Sequence, residues 1–499
     1  MMEKIYTIAP LGLKGILVEV ETNLSRHLPK IIIVGLPDTS VQEAKERIWA
    51  AIENSGVQFP RQKVVLNLSP AQIRKEGGSY DLPMAVSILQ TAKILEITDD
   101  KVAFIGELAL SGKLKPVPGI LVMVSSLKDM GFKKVFVSIK NAKEANMVED
   151  IEVYPADSLL EIIEHYDGKK IVPLAKEKFV ANSNRASIDM SEIKGQEQAK
   201  RVLEISAAGG HNVLFVGPPG AGKTMLAKAF LSILPDMSLS ESMETSKVHS
   251  LAGLLSEDNH LIDYRIIRDP HHSASVSAIV GGGSWPKPGE ISLAHNNVLF
   301  LDEILEFPRQ VLESLRQPLE DNVITVSRVK GSFDFPANFI LLATANPCPC
   351  GYFTDKTKEC KCSAVEIKRY QKRISGPVLD RIDLHLLVNR VRTKYLSTTD
   401  KAESSDTIKQ RVFLAREKQL ARSPKLNAKL SSKEILGVCH LSQSSKNILT
   451  KAIDGLQLSA RAYFKILKVS RTIADLSVSN KVEDKHILEA LQYRSKIFL

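Results

Sequence analysis

In the 499-residue chain, one segment has residue types and spacing that dictate a chemistry: HNVLFVGPPGAGKT. Gly217, Pro218, Pro219, Gly220, Ala221, Gly222, Lys223 and Thr224 complete a phosphate-loop pattern between an apolar strand and a helical stretch, MLAKAFLSIL. Gly217, Gly220 and Gly222 let backbone N–H groups converge on phosphate oxygens, and the helix N-terminus that follows adds its dipole. The Lys223 ammonium is expected to neutralise β- and γ-phosphate charge, and the Thr224 hydroxyl to ligate magnesium. Seventy-eight residues after Thr224, NVLFLDEI gives a second apolar strand ending in two acids. Asp302 is expected to hold the magnesium through water, and Glu303 to polarise the attacking water. A third strand, NFILLATAN, ends in Asn346, where a sensor of the γ-phosphate would sit; asparagine at a strand end is also a common turn former.

Cys348, Cys350, Cys360 and Cys362 form two C-x-C half-sites separated by nine residues. Four thiolates on a short loop can satisfy tetrahedral zinc, and an all-cysteine site is structural rather than catalytic. Four free thiols in a reducing compartment are the alternative. Cys439 stands alone and reads as packing.

These segments need elements to hold them. Residues 1–170 alternate short apolar runs with helical stretches, which reads as an α/β domain. Residues 171–190 lack periodicity and read as a linker. Residues 191–390 form a second α/β block with the cysteine insertion at 348–362, and residues 391–499 read as a helical domain.

Composition limits the rest. With 44% hydrophobic and 25% charged residues the chain is an ordinary globular protein, and no apolar run reaches the ~18 residues of a membrane span. Five cysteines exclude a disulfide scaffold, so a cytoplasmic setting is expected. Of 67 basic and 57 acidic side chains, 21 and 10 lie in residues 391–499, leaving the first 390 residues at a net charge of −1. That terminal excess suits a polyanion; lysine-rich helices that simply solvate well would also give it.

GPPGAGKT, NVLFLDEI, ATANPCPCG and SGPVLDRID, with the long run DPHHSASVSAIVGGGSWPKPGEISLAHN, resemble the magnesium-chelatase-like AAA+ ATPases of the YifB/ComM branch across essentially the whole chain. The resemblance implies an AAA+ core built on a parallel sheet with helices on both faces, followed by a helical lid. It implies ATP and magnesium as ligands, and a cysteine cluster of this kind after the sensor asparagine. It also supplies Arg381 of LDRID as an arginine finger reaching a neighbour's ATP, Arg461 of LSARAYFKILK as the second sensor, and Arg373 as a reserve finger. The implied activity is that of a homo-hexameric motor that moves on forked or branched DNA and promotes branch migration during uptake and recombination of foreign DNA, with recombination proteins among its implied partners. The alternative is a chelatase-type motor that remodels a protein partner.

RKEGGSYDLPMAV resembles the nucleophile segment of Lon-type protease domains, with Ser79 in the nucleophile position. A Ser–Lys dyad needs a lysine base, and the matching later position is Leu121, so the first domain is expected to be Lon-like and inactive. Asp475, Ser477 and Ser479 spell a chelatase metal motif, but they follow a helical run with only 20 residues remaining, and are read as chance. In LEDNVITVSRVKGSFDFPANFI a hairpin is expected, with its tip at Ser327–Gly331. Ring helicases such as the minichromosome-maintenance proteins carry a pore-facing lysine there, which makes Arg328 and Lys330 candidates for contact with single-stranded DNA in the pore; a solvated turn is the alternative. His271 and His272 are expected to point apart and not to bind metal together.

Overall fold

The computed structural model describes residues 4–176, 187–256, 258–283, 287–328, 331–355, 357–391, 402–456 and 459–494. The chain forms two compact units, Met1–Val180 with Ser242–Ile262, and Ala181–Glu241 with Asp263–Leu499. The chain thus leaves the second unit after Glu241 and returns to it at Asp263.

The first unit is a seven-stranded mixed sheet in the order Lys30–Val34, Lys63–Ser69, Lys14–Ser25, Ile5–Leu11, Val102–Ile105, Lys134–Ser138 and Glu152–Ala156. Strand alternation sends successive side chains to opposite faces. Ala103 and Ile105 therefore join one apolar cluster, with Val135 and Val137, while Phe104 and Phe136 join the other. Both faces are covered, which is why VAFI and VFVS read as unbroken apolar runs. Ser79 is buried, and its carbonyl accepts from Gly106 N–H. Leu121 lies fully buried in an apolar cluster.

The second unit is built on five parallel strands in the order Ile267–Arg268, Val298–Leu301, Ile340–Ala345, Val213–Val216 and Leu384–Leu387. The parallel sheet expected from the sequence is present, and VLFV and VLFL are buried at every position. Val323–Arg328 and Gly331–Pro336 pair as an antiparallel hairpin. Helices Ser405–Arg422, Ser432–Val438, Gln443–Leu456, Ala460–Leu476 and Asp484–Gln492 complete this unit. Ala460–Leu476 starts where the Ser459 side chain caps the Ala462 N–H, and buries Ile466, Leu467, Val469 and Ile473 in the same apolar cluster as Val213 and Phe215. Asp475 is buried in ion pairs with Arg422 at 2.8 Å and Arg471 at 2.9 Å, so it is a structural carboxylate and no metal ligand. Cys439 packs in that cluster, as its isolation in the sequence suggested. No helix among the described residues is long and apolar enough to cross a membrane.

Within the first unit, the Glu144 carboxylate accepts from Leu121 N–H at 3.2 Å and from the Ser250 hydroxyl. Burial is the largest influence on this group and pushes its pKa up to about 7, against the two hydrogen bonds. The folded state therefore keeps a proton that the unfolded chain releases near pH 4.5. Stability from this site is greatest below pH 4.5 and is lost as the pH rises through about 7. The loss is on the order of 2–3 kcal/mol. Urea unfolding followed across that window is expected to show this slope, and Glu144→Gln to flatten it.

Candidate nucleotide site

Sheet order creates the site. Val213–Val216 pairs with Ile340–Ala345 in a register that sets Val216 opposite Ala345, and Gly217 N–H donates to the Ala345 carbonyl at 3.1 Å. The loop after one strand thus starts beside the residue that follows the other, Asn346. A Cβ on Gly217 would stand 2.1 Å from the Val388 carbonyl oxygen, so only glycine fits that corner. Gly220 and Gly222 have φ of +76° and +87°, the left-handed region that side chains disfavour. The helix Lys223–Ile233 begins directly after them.

Lys223 is 8% exposed, and its ammonium donates to the Gly217 carbonyl at 2.5 Å, the Pro218 carbonyl at 3.2 Å and Asn346 Oδ1 at 3.1 Å. Burial lowers its pKa to about 8, opposed by the charges of Asp302 and Glu303. Asn346 uses its other end to donate to Glu303 Oε1 at 3.3 Å, which links the cation to the second acid. Thr224 Oγ1 donates to Asp302 Oδ2 at 3.2 Å, so a hydroxyl and a carboxylate oxygen stand side by side. Such hard oxygen donors suit magnesium, which keeps several of its waters. Glu303 has a φ of +53°, unusual for a residue with a side chain, and its N–H is held by Thr344 Oγ1 at 3.0 Å. The Thr344 hydroxyl in turn donates to Asp302 Oδ1.

Three contributors went unread in the sequence. Thr344 fixes both acids; it is the lone hydroxyl in the buried strand ILLATA, which was the available signal. Gln196 Nε2 donates to the Ala221 carbonyl at 3.1 Å and the Asn389 carbonyl at 2.8 Å. Gly351, with a φ of +83°, lies so close to the loop that a Cβ there would stand 2.6 Å from Pro219 Cδ. The cysteine segment therefore bears directly on the phosphate loop.

Cys348, Cys350, Cys360 and Cys362 present sulfurs all within 4.8 Å of one another, with Cys348 3.4 Å from Cys350 and both 3.6 Å from Cys360. Zinc–sulfur bonds of about 2.3 Å in a tetrahedron place sulfurs about 3.8 Å apart, so the cluster fits zinc. It is the one such ligand cluster among the described residues. His271 and His272 lie in a turn, where helix and strand periodicity does not apply, and their rings are only 4.1 Å apart rather than splayed.

The arginines lie elsewhere. Arg381 precedes the strand Leu384–Leu387, whereas the phosphate loop follows the parallel neighbour Val213–Val216. They therefore lie at opposite ends of two neighbouring strands, a strand length of roughly 13 Å apart at ~3.3 Å per residue. Arg381 and Arg461 come together at Glu320: Arg381 Nη2 donates to Oε2, and Arg461 Nη2 to Oε1 at 3.4 Å. Arg373 instead pairs with Glu306 at 2.7 Å and lies over the Tyr370 ring. Arg328 ends the first strand of the hairpin, and Lys330 lies outside the described residues.

The chain matches the family described as "Magnesium chelatase, subunit ChlI" over residues 189–396, "Subunit ChlI of Mg-chelatase" over 20–141, and "Magnesium chelatase, subunit ChlI C-terminal" over 402–494. It is 43% identical to Competence protein ComM of Haemophilus influenzae over 502 residues, covering 99% of this chain and 98% of that protein. It is 42% identical to Uncharacterized protein YifB of Escherichia coli over 493 residues, covering 98% of this chain and 96% of that protein. A distant likeness, 19% identical over 494 residues, joins 87% of this chain to 55% of Zygotic DNA replication licensing factor mcm6-A of Xenopus laevis.

The Gly351 contact generates a test. Gly351→Ala adds a methyl group against Pro219 at a positive φ. It is expected to weaken binding of a fluorescent ATP analogue roughly fivefold, about 1 kcal/mol.

Proposed function

Because the chain belongs to the magnesium-chelatase subunit ChlI family, in the branch of ComM and YifB, we propose that it is a ring-forming ATP-hydrolysing motor that acts on DNA, with branch migration as its work. Backbone N–H groups of the phosphate loop and the Lys223 ammonium bind the triphosphate. Thr224 and Asp302 hold magnesium, which when bound offsets the charge that develops on the transferred phosphoryl group. Glu303 orients the attacking water and takes its proton, and Asn346 holds that carboxylate toward the Lys223 end of the site.

One observation carries the ring reading. Arg381 and Arg461 come together at the end of the strands opposite their own phosphate loop, which supports a role at a neighbouring subunit's nucleotide. Arginine supplied across an interface stabilises transition-state charge and couples each site to the next. A homo-hexamer is the proposed assembly.

DNA as the load is supported by the net charge of +11 in residues 391–499, by the hairpin whose first strand ends at Arg328, with Lys330 two positions on in sequence, and by the names of two relatives, a competence protein and a replication licensing factor. The first unit is proposed to be an inactive Lon-like domain. Ser79 has no lysine partner among the described residues, and the nearby Lys75 ammonium is committed to the Gly35 and Pro70 carbonyls. Cys348, Cys350, Cys360 and Cys362 are proposed to hold one structural zinc that stiffens the segment under Pro219.

Two outcomes are expected. Elemental analysis gives one zinc per chain, lost in Cys360→Ser. ATP hydrolysis rises with forked or three-stranded DNA, the rise fades at higher salt as phosphate contacts are screened, and Glu303→Gln abolishes turnover. Hydrolysis indifferent to DNA would transfer the load to a protein partner.

A further inference from the structure

Two guanidinium groups share one carboxylate at the end of the strands opposite the phosphate loop. We propose that Glu320 is the resident counter-ion of Arg381 and Arg461, and that the phosphates of a neighbouring subunit's nucleotide displace it, so that Glu320 sets the ATP concentration at which the ring fires. This rests on the ring reading above.

The geometry is that of a competitor. Each Glu320 oxygen engages a different arginine, Oε2 taking Arg381 and Oε1 taking Arg461. The Glu320 side chain is 49% exposed and that of Arg461 57%, so the pair opens to solvent, while Arg381 is 13% exposed and anchored by its Nη1 to the Pro377 carbonyl at 2.7 Å. Arg381 Nε is buried and has no partner among the described residues, a donor that Glu320 leaves unused. The cluster lines a cavity of about 410 Å³ together with Asp383, Lys465 and Lys468. Those lysines are already committed: Lys465 to Asp383, and Lys468 to the Ala428 carbonyl at 3.1 Å. Of the carboxylates lining that cavity, Asp380, Asp383 and Glu320, it is Glu320 that pairs with both arginines, and a phosphate chain brings more charge and more acceptors in the fork geometry that guanidinium prefers.

Glu320→Gln keeps the shape and removes the competing charge. Steady-state hydrolysis by the assembled full-length protein is expected to show a half-saturating ATP concentration two- to fivefold lower than wild type, roughly the contribution of an exposed ion pair. Glu320→Asp is expected to restore most of the wild-type value. A residue that merely braced the arginines would move this value upward, since loosened arginines bind phosphate less well. An unchanged or raised half-saturating concentration in Glu320→Gln, with an unaltered thermal transition, overturns the proposal. A mixing control separates it from the ring reading. Lys223→Ala and Arg381→Ala subunits, each inactive alone, are expected to regain partial activity together. If they do and Glu320→Gln behaves as wild type, only the counter-ion role fails; if mixing restores nothing, the ring reading fails and the proposal with it.

Discussion

The Lys223 ammonium lies 8% exposed among carbonyl oxygens and one amide oxygen, with its pKa lowered to about 8 by burial. A buried cation held by neutral acceptors keeps a strong demand for negative charge, because little water remains to solvate it. Everything around it follows from keeping it there. The parallel pairing of Val216 with Ala345 brings the loop beside Asn346, whose amide spans from Lys223 to Glu303. Thr344 pins the Glu303 backbone in a conformation that side chains disfavour and bonds Asp302 as well. Lys223, Asn346 and both acids thus form one hydrogen-bonded chain, through Thr344, across the carboxyl ends of three strands.

The same sheet polarity separates the other cations. In a parallel sheet, a loop that follows one strand and a segment that precedes its neighbour are held a strand length apart. Arg381 therefore lies at the far end of the strands from the Lys223 site of its own chain, and Arg461 meets it there at Glu320. A single glutamate gathers them, and Glu320 lies in the short helix that passes through Asn322 directly into the hairpin.

The cysteine segment adds a second support. Gly351 touches Pro219, and the Arg390 guanidinium reaches the Pro219 carbonyl at 3.3 Å while pairing with Asp355 at 3.2 Å. A phosphate loop rich in glycine benefits from such packed neighbours.

The sequence by itself determined the nucleotide chemistry, because GPPGAGKT between an apolar strand and a helix is a local pattern whose residues act where they stand. It also determined a second α/β block with two buried apolar strands, and the four thiols, from their own spacing; that the strands run parallel came from the family resemblance. Tertiary structure alone decided what lies between distant segments. Residues 242–262 group with the first unit, Thr344 braces acids 42 and 41 positions away, Gly351 meets Pro219, and Arg381 and Arg461 meet Glu320 from 61 and 141 positions away. The close, tilted His271 and His272 rings show the same limit at short range, since periodicity describes helices and strands and says nothing of a turn. Local pattern fixes what a residue can do; which strand edge it occupies is set by sheet order, a property of long-range pairing that no window of sequence contains.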